Sequence, residues 1–345
     1  MTKGDQYTKE ILQKILDEGC LDKKPRPHYE DTYDGAVYDP NTNTIITKDS
    51  EVIELQENQQ PHQYADKVVV WTPAHTLSVN SGIECSYDLS KGESPLITLR
   101  PIATKASIAE ILWIYQLESN DLVEFDELLG RNTWDEDHKI NNWWEEWALR
   151  DENGDYLLNE KGHPYIGSTY GDVIKKHNLV RKRLQEMVDN PDSRRHIISM
   201  WQDDDYDLPH GLKPCAFMTI WNIRHGKDDQ DYLDMTLVQR SSDFATAGCI
   251  NQVQYAVLLM LFARHLGITP GIFTWKPINV QIYDRHIDQA KKIIERDSVE
   301  CSPTIELNPE VENFYDFKVD DINIKDYPLQ KIKKVNPQLK FPLGI

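Results

Sequence analysis

Residues 253–266, running from Val253 to Leu266, are apolar almost all the way round. A helix without a polar face must be enclosed on every side. Nowhere does the chain hold the roughly 18 consecutive apolar residues that a bilayer span requires, so the enclosure has to be a protein core. Segments able to build that core lie just upstream. Residues 197–201, 217–221 and 233–238 are short runs rich in Ile, Met, Phe, Trp and Val and read as strands. The last two join through His225-Gly226-Lys227-Asp228-Asp229, a plausible hairpin. There is no internal repeat, linker or low-complexity tract, so residues 1–345 read as one α+β domain.

The remaining segments fit around this core. Residues 7–19 carry Ile11, Leu12, Ile15 and Leu16 at helical spacing and stop at Gly19. Residues 28–70 are rich in Asp, Asn, Gln and Tyr, with an expected hairpin from Ala36-Val37-Tyr38 into Thr44-Ile45-Ile46-Thr47. They hold too few large apolar residues for a separate core and read as a surface insertion. Residues 76–79 and 96–99 are expected strands, and 102–117 an apolar helix with Glu110 deep inside it. A carboxylate there needs a partner unless it faces outward. Trp134, Trp143, Trp144 and Trp147 crowd one polar stretch, as packing residues or as stacking faces for a planar ligand. Val173, Ile174, Val180, Leu184 and Met187 mark one amphipathic helix, and another starts near Asp288. The acidic runs 151–155 and 203–207 read as solvated turns, the first lacking the glycine and glutamate of a calcium loop.

Composition narrows the partners. The net charge of −19 opposes nucleic acid and anionic membranes, although arginines gathered in one cleft can reverse the potential locally. The five cysteines are scattered, with no C-x-x-C pair, which favours a reducing cytoplasm over a disulfide framework or a zinc site. The N-terminus has no charged-then-apolar leader pattern.

Between Ser193 and Asn251 the chain concentrates chemistry. Cys215 follows Pro214 at an expected strand start, and a cation nearby would favour its thiolate. Taken singly it reads first as a buried structural cysteine, the commoner fate of a lone cysteine. Arg194-Arg195 and Arg240-Ser241 supply guanidinium forks and a hydroxyl suited to phosphate oxygens, although any one arginine could be a surface ion pair. Asn251 offers a donor and an acceptor that match the N–H and C=O edge of a uracil-type ring, or it simply caps a helix.

In this order the segments resemble the thymidylate synthase family. Matching stretches include Thr72–Val79, Ala109–Leu117, Thr133–Glu136, Tyr170-Gly171, Asp192–Ile197 and Pro214-Cys215. Further on come Gln239-Arg240-Ser241-Ser242-Asp243, Asn251, Ile282–His286 and Phe314–Phe317. The resemblance covers most of the chain and leaves 28–70 outside it. It implies a homodimer with a layered α+β fold, flanking helices and a large mixed or antiparallel sheet at the dimer interface. It also implies a methyltransferase that converts dUMP to dTMP with 5,10-methylenetetrahydrofolate as co-substrate and no metal.

The same resemblance assigns roles. Cys215 would attack uracil C6, Glu110 would anchor a proton-moving water network, and Tyr170 would assist proton removal at C5. Arg26, Arg240 and Ser241 would hold the phosphate, joined by Arg194 and Arg195 from a partner subunit. Gln239, Asn251, Gln281 and Tyr283 would line the nucleotide site. Trp134, Asp243 and the C-terminal Ile345 would meet the folate. The chain departs from the family pattern after Lys24-Pro25-Arg26, at Ala216, at Ala247–Ile250, and at Asn279 and Gln281 in place of an aspartate and a histidine. A pyrimidine nucleotide hydroxymethylase and a catalytically idle nucleotide-binding relative remain alternative readings.

Overall fold

The Cys249–Leu266 helix lies where its sequence requires, between the main sheet and the Thr104–Tyr115 helix. Its faces carry Val253, Val257, Leu258, Leu261 and Phe262, all fully buried. Trp221 from the sheet stacks on Phe262 at 4.7 Å, and Phe314 meets the same ring edge-on at 5.0 Å. Each side chain of that size removed from water contributes roughly 2–3 kcal/mol. The computed structural model describes residues 1–345 apart from Ser81, Asp228 and Ile345. The expected hairpin joins Ala216–His225 antiparallel to Asp231–Asp243, and its Asp228 lies outside the described residues.

The main sheet has seven strands. Across it run Cys20–Leu21, Thr76–Val79, Thr269–Tyr283, Asp231–Asp243, Ala216–His225 and His196–Ser199, while Cys85–Asp88 pairs elsewhere along Thr269–Tyr283. Thr269–Tyr283 and Asp231–Asp243 are parallel, and every other pairing is antiparallel. The sheet is therefore mixed. This geometry positions the site, because two parallel strands end together beside the start of the antiparallel Ala216–His225 strand. Gln239 pairs with Ala216 and Asp243 with Gln281.

Three sequence expectations are corrected. The acidic run 203–207 is not simply solvated, because Asp205 is fully buried against Lys176 and His177. Residues 96–99 are not a strand. Their backbone groups are satisfied by side chains instead of a ladder. The Asp5 carboxylate accepts from the Thr98 N–H and hydroxyl, while Asn336, Tyr327 and Thr2 donate to the carbonyls of Thr98, Ile97 and Leu96. The single helix expected across 173–187 is two, Gly171–His177 and Leu179–Asp189. Asn178 divides them at φ 51°, a left-handed turn that asparagine tolerates better than most residues.

Residues 28–70 contribute to two three-stranded antiparallel sheets. One joins His28–Asp34, Lys67–Pro73 and Gln60–Gln63; the other joins Val37–Asp39, Thr44–Ile46 and Val52–Glu54. Ala36, Ile45, Val68 and Val70 form a small cluster of their own. The segment is tied to the main sheet's end. Tyr29 donates to Asp284 at 2.8 Å, and Arg285 forms a two-pronged ion pair with Asp31 at 3.2 and 3.0 Å.

Candidate active site

Cys215 sits in the turn that opens the Ala216–His225 strand, half-buried. Its N–H donates to the Tyr170 hydroxyl at 3.0 Å. Arg240, on the neighbouring strand, binds the same turn with two arms. Its Nε donates to the Pro214 carbonyl at 2.9 Å and its Nη2 to the Lys213 carbonyl at 2.8 Å. That fixes Nη2 only 3.5 Å from the Cys215 Sγ. Burial pushes the thiol up, while the Arg240 cation and the Tyr170 hydroxyl pull against it. Tyr170 itself has φ 46° and ψ −110°, an uncommon backbone conformation for a residue with a side chain. Gly171 follows because a Cβ there would lie 2.1 Å from the Ser119 carbonyl oxygen.

A second group surrounds Glu110. It is 5% exposed, on a helix otherwise lined by Ile, Leu, Trp and Tyr. Trp143 donates its indole N–H to Oε2 at 2.9 Å. Burial raises the carboxyl to about 7, opposed by the donors of Gln254, Trp143 and Trp144. Glu110 thus has a partner and does not face outward. Tyr170 connects the two groups, since the charges of both Cys215 and Glu110 act on its phenol. Burial holds that phenol far above its usual range, so it stays neutral.

Asn251 is not the helix cap; that position is Gly248, and Asn251 lies in the first turn beyond it. Its Oδ1 accepts from Gln239 at 3.0 Å and its Nδ2 donates to Gln254 at 3.0 Å. Ser241 donates to the Gln281 side-chain oxygen at 3.3 Å. Asp243 has a buried Oδ1 without a hydrogen-bond partner, and burial raises its carboxyl against the pull of Thr246, His286 and Arg100. Tyr283 donates to the Gly344 carbonyl at 3.2 Å, and His286 bonds the Pro342 carbonyl, so the chain end folds back beside the strand ends.

Cys215, Tyr170, Arg240, Gln239, Ser241, Asn251, Gln281, Asp243 and Tyr283 therefore gather around the strand ends, with Glu110 close enough to act on Tyr170. Four expected residues do not join them by direct contact. Arg26, Arg194 and Arg195 are exposed, with no acidic group within ion-pair distance among the described residues. Trp134 packs on His138 and Tyr156 instead. Ile345 lies outside the described residues. Sequence reasoning missed Gln254 and Trp275, and it named Trp143 without its bond to Glu110. Gln254 was legible as the residue one turn after Asn251, and Trp143 as a donor-only side chain near a carboxylate placed among apolar residues. Among the described residues no cluster of His, Cys, Asp and Glu could hold a metal ion.

A family model described as thymidylate synthase matches residues 55–339. The thymidylate synthase of Streptococcus gordonii is 37% identical over 347 residues, covering 100% of both chains. That of Lactococcus lactis subsp. cremoris is 35% identical, again over 100% of each. The solved structure of a thermostable thymidylate synthase A from Bacillus subtilis superposes with a TM-score of 0.70, at 28% identity and 99% coverage of each chain. On the matched length and the full-length relatives together, the chain belongs to the thymidylate synthase family.

Proposed function

We propose that this enzyme converts dUMP to dTMP with Cys215 as its nucleophile. The observation that carries the assignment of Cys215 is its thiol 3.5 Å from the Arg240 guanidinium, in a turn whose N–H donates to the Tyr170 hydroxyl. Addition of the thiolate to C6 moves an electron pair through C5 onto the C4 oxygen, making C5 nucleophilic. The Asn251 N–H is suited to that oxygen, and its carbonyl to the ring N3–H. 5,10-Methylenetetrahydrofolate supplies the one-carbon unit and the hydride. The orphaned Asp243 Oδ1 fits a pterin amine or amide N–H, and Trp143, 45% exposed, offers an indole face beside Glu110.

Glu110 titrates near neutrality, so it can both hold and release a proton at the ring through water. The neutral Tyr170 phenol serves as a relay rather than as a free base. Arg240, beside the thiol, and Ser241, next to it in the strand, would hold the phosphate, joined by Arg26 from the segment before His28–Asp34. Exposed Arg194 and Arg195 next to the edge strand His196–Ser199 fit donation to a second subunit's phosphate site, hence a homodimer. Residues 28–70 act as a surface appendage of this single domain. A cytoplasmic location fits the five free cysteines and the apolar Phe244–Leu266 segment, whose membrane-length window is 72% buried inside the protein.

The test is incubation with dUMP and methylenetetrahydrofolate, following dihydrofolate absorbance and identifying the nucleotide. dTMP with stoichiometric dihydrofolate is expected, and Cys215→Ser should still bind dUMP without turnover. Formation of 5-hydroxymethyl-dUMP without dihydrofolate would overturn the methylation. Undiminished turnover by Cys215→Ser would remove the nucleophile.

A further inference from the structure

A carboxamide does not by itself distinguish uracil from cytosine. With its N–H toward position 4 and its C=O toward N3 it complements uracil; turned over, the same two groups complement the 4-amino group and the bare N3 of cytosine. Selectivity through Asn251 therefore depends on whatever stops that amide from turning.

The structure supplies such a device. Gln239 is 2% exposed and held by two groups of opposite, fixed character. The indole N–H of fully buried Trp275 can only donate, and it donates to Gln239 Oε1 at 2.8 Å. The Ser241 backbone carbonyl can only accept, and it receives Gln239 Nε2 at 3.0 Å. Together they fix which end of Gln239 is oxygen and which is nitrogen, without ambiguity between the two amide orientations. Gln239 Nε2 then donates to Asn251 Oδ1 at 3.0 Å. Reversing Asn251 would set two NH2 groups against each other in a buried site. At its other end Asn251 Nδ2 donates to Gln254 Oε1. That leaves the Gln254 Nε2 donor buried and without a hydrogen-bond partner. Every hydrogen bond in this chain runs in one sense, from the Trp275 donor through Gln239 and Asn251 to the Gln254 oxygen.

We propose that Trp275 and Gln239 are positioning residues that lock the polarity of the Asn251 carboxamide, and that this lock sets the preference for a 4-oxo over a 4-amino pyrimidine nucleotide. The inference rests on the reading of Asn251 as the ring-recognising group. Losing one buried polar match of this kind changes affinity roughly 10- to 100-fold.

The experiment measures dUMP and dCMP dissociation constants by calorimetry for the wild type, Asn251→Asp, Trp275→Phe and Gln239→Leu. Incomplete folding lowers the fitted number of sites but leaves the ratio of the two constants intact, so the readout survives partial misfolding. The expected result is that Trp275→Phe and Gln239→Leu each narrow the dCMP/dUMP ratio about tenfold or more, chiefly by tightening dCMP relative to dUMP. If Asn251→Asp shifts the ratio while Trp275→Phe and Gln239→Leu leave it unchanged, the lock is refuted and the reading of Asn251 stands. If Asn251→Asp also leaves the ratio unchanged, Asn251 does not read the ring, and the lock falls with it.

Discussion

Glu110→Gln isolates a buried carboxyl whose proton affinity is raised. In the folded chain Glu110 takes up its proton at about 7 because burial penalises the charge. Unfolded, the same group titrates near the ordinary glutamate value of about 4.3. Between those two pH values the native state holds more protons than the unfolded state, so stability falls as pH rises through the window. With 1.36 kcal/mol per pKa unit, the native preference for the protonated form contributes roughly 2–3 kcal/mol at pH 5 and almost nothing at pH 8. Glutamine keeps the shape and cannot titrate. The assay is urea unfolding of both proteins at pH 5, 6, 7 and 8, at one protein concentration because assembly would shift the midpoint. Relative to the wild type, Glu110→Gln should gain roughly 2–3 kcal/mol between pH 5 and pH 8, with most of the change complete by pH 7. Parallel stability curves for the two proteins would refute the claim that Glu110 is buried with a raised proton affinity. A difference of opposite slope would show a carboxylate stabilised by a cation that the structure does not place there.

Three further outcomes follow from the same geometry. Arg240→Gln removes the cation 3.5 Å from the thiol, so the pH midpoint of Cys215 alkylation should rise, and an unmoved midpoint would mean the guanidinium does not act on the sulfur. Gly248→Ala should lower stability by about 2 kcal/mol in chemical denaturation, since the added Cβ would lie 2.4 Å from the Phe244 ring; an unchanged midpoint would show that the ring yields freely. Tyr29→Phe deletes the 2.8 Å bond to Asp284 and should cost about 1 kcal/mol in the same measurement, whereas no loss would detach residues 28–70 from the strand-end turn.

What could be read from the sequence follows a physical division. Elements whose burial is written in their own pattern were legible: the apolar Cys249–Leu266 helix, the Thr104–Tyr115 helix and the paired strands around 225–229. Thr269–Tyr283, the central strand between Asp231–Asp243 and Thr76–Val79, escaped because Pro270, Gly271 and Pro277 interrupt its pattern with residues that weaken a strand reading. Residues 96–99 failed in the opposite direction. Their apolar run predicts burial correctly, yet burial alone does not say whether the backbone is satisfied by a neighbouring strand or by Asp5, Asn336 and Tyr327. Side chains distant in sequence decide that choice, and no local window contains them.

The same division runs through the candidate site. Cys215 and Arg240 are 25 residues apart and were named from residue type and family order, but their coupling depends on the register that sets Ala216 opposite Gln239. Glu110 was conspicuous because a carboxylate inside an apolar helix needs a donor, although which of four tryptophans donates could not be read from their spacing. Trp143 bonds the carboxyl while Trp144, adjacent in sequence, is fully buried and meets Trp113 at a tilt and Tyr170 edge-on. Trp275 is the extreme case. As a buried aromatic in a strand it carries no sign of function, and only its indole N–H on Gln239 separates it from packing. Residues that perform chemistry are recognisable by type; residues that orient them are recognisable only by direction, because a hydrogen bond has a sense that composition does not record.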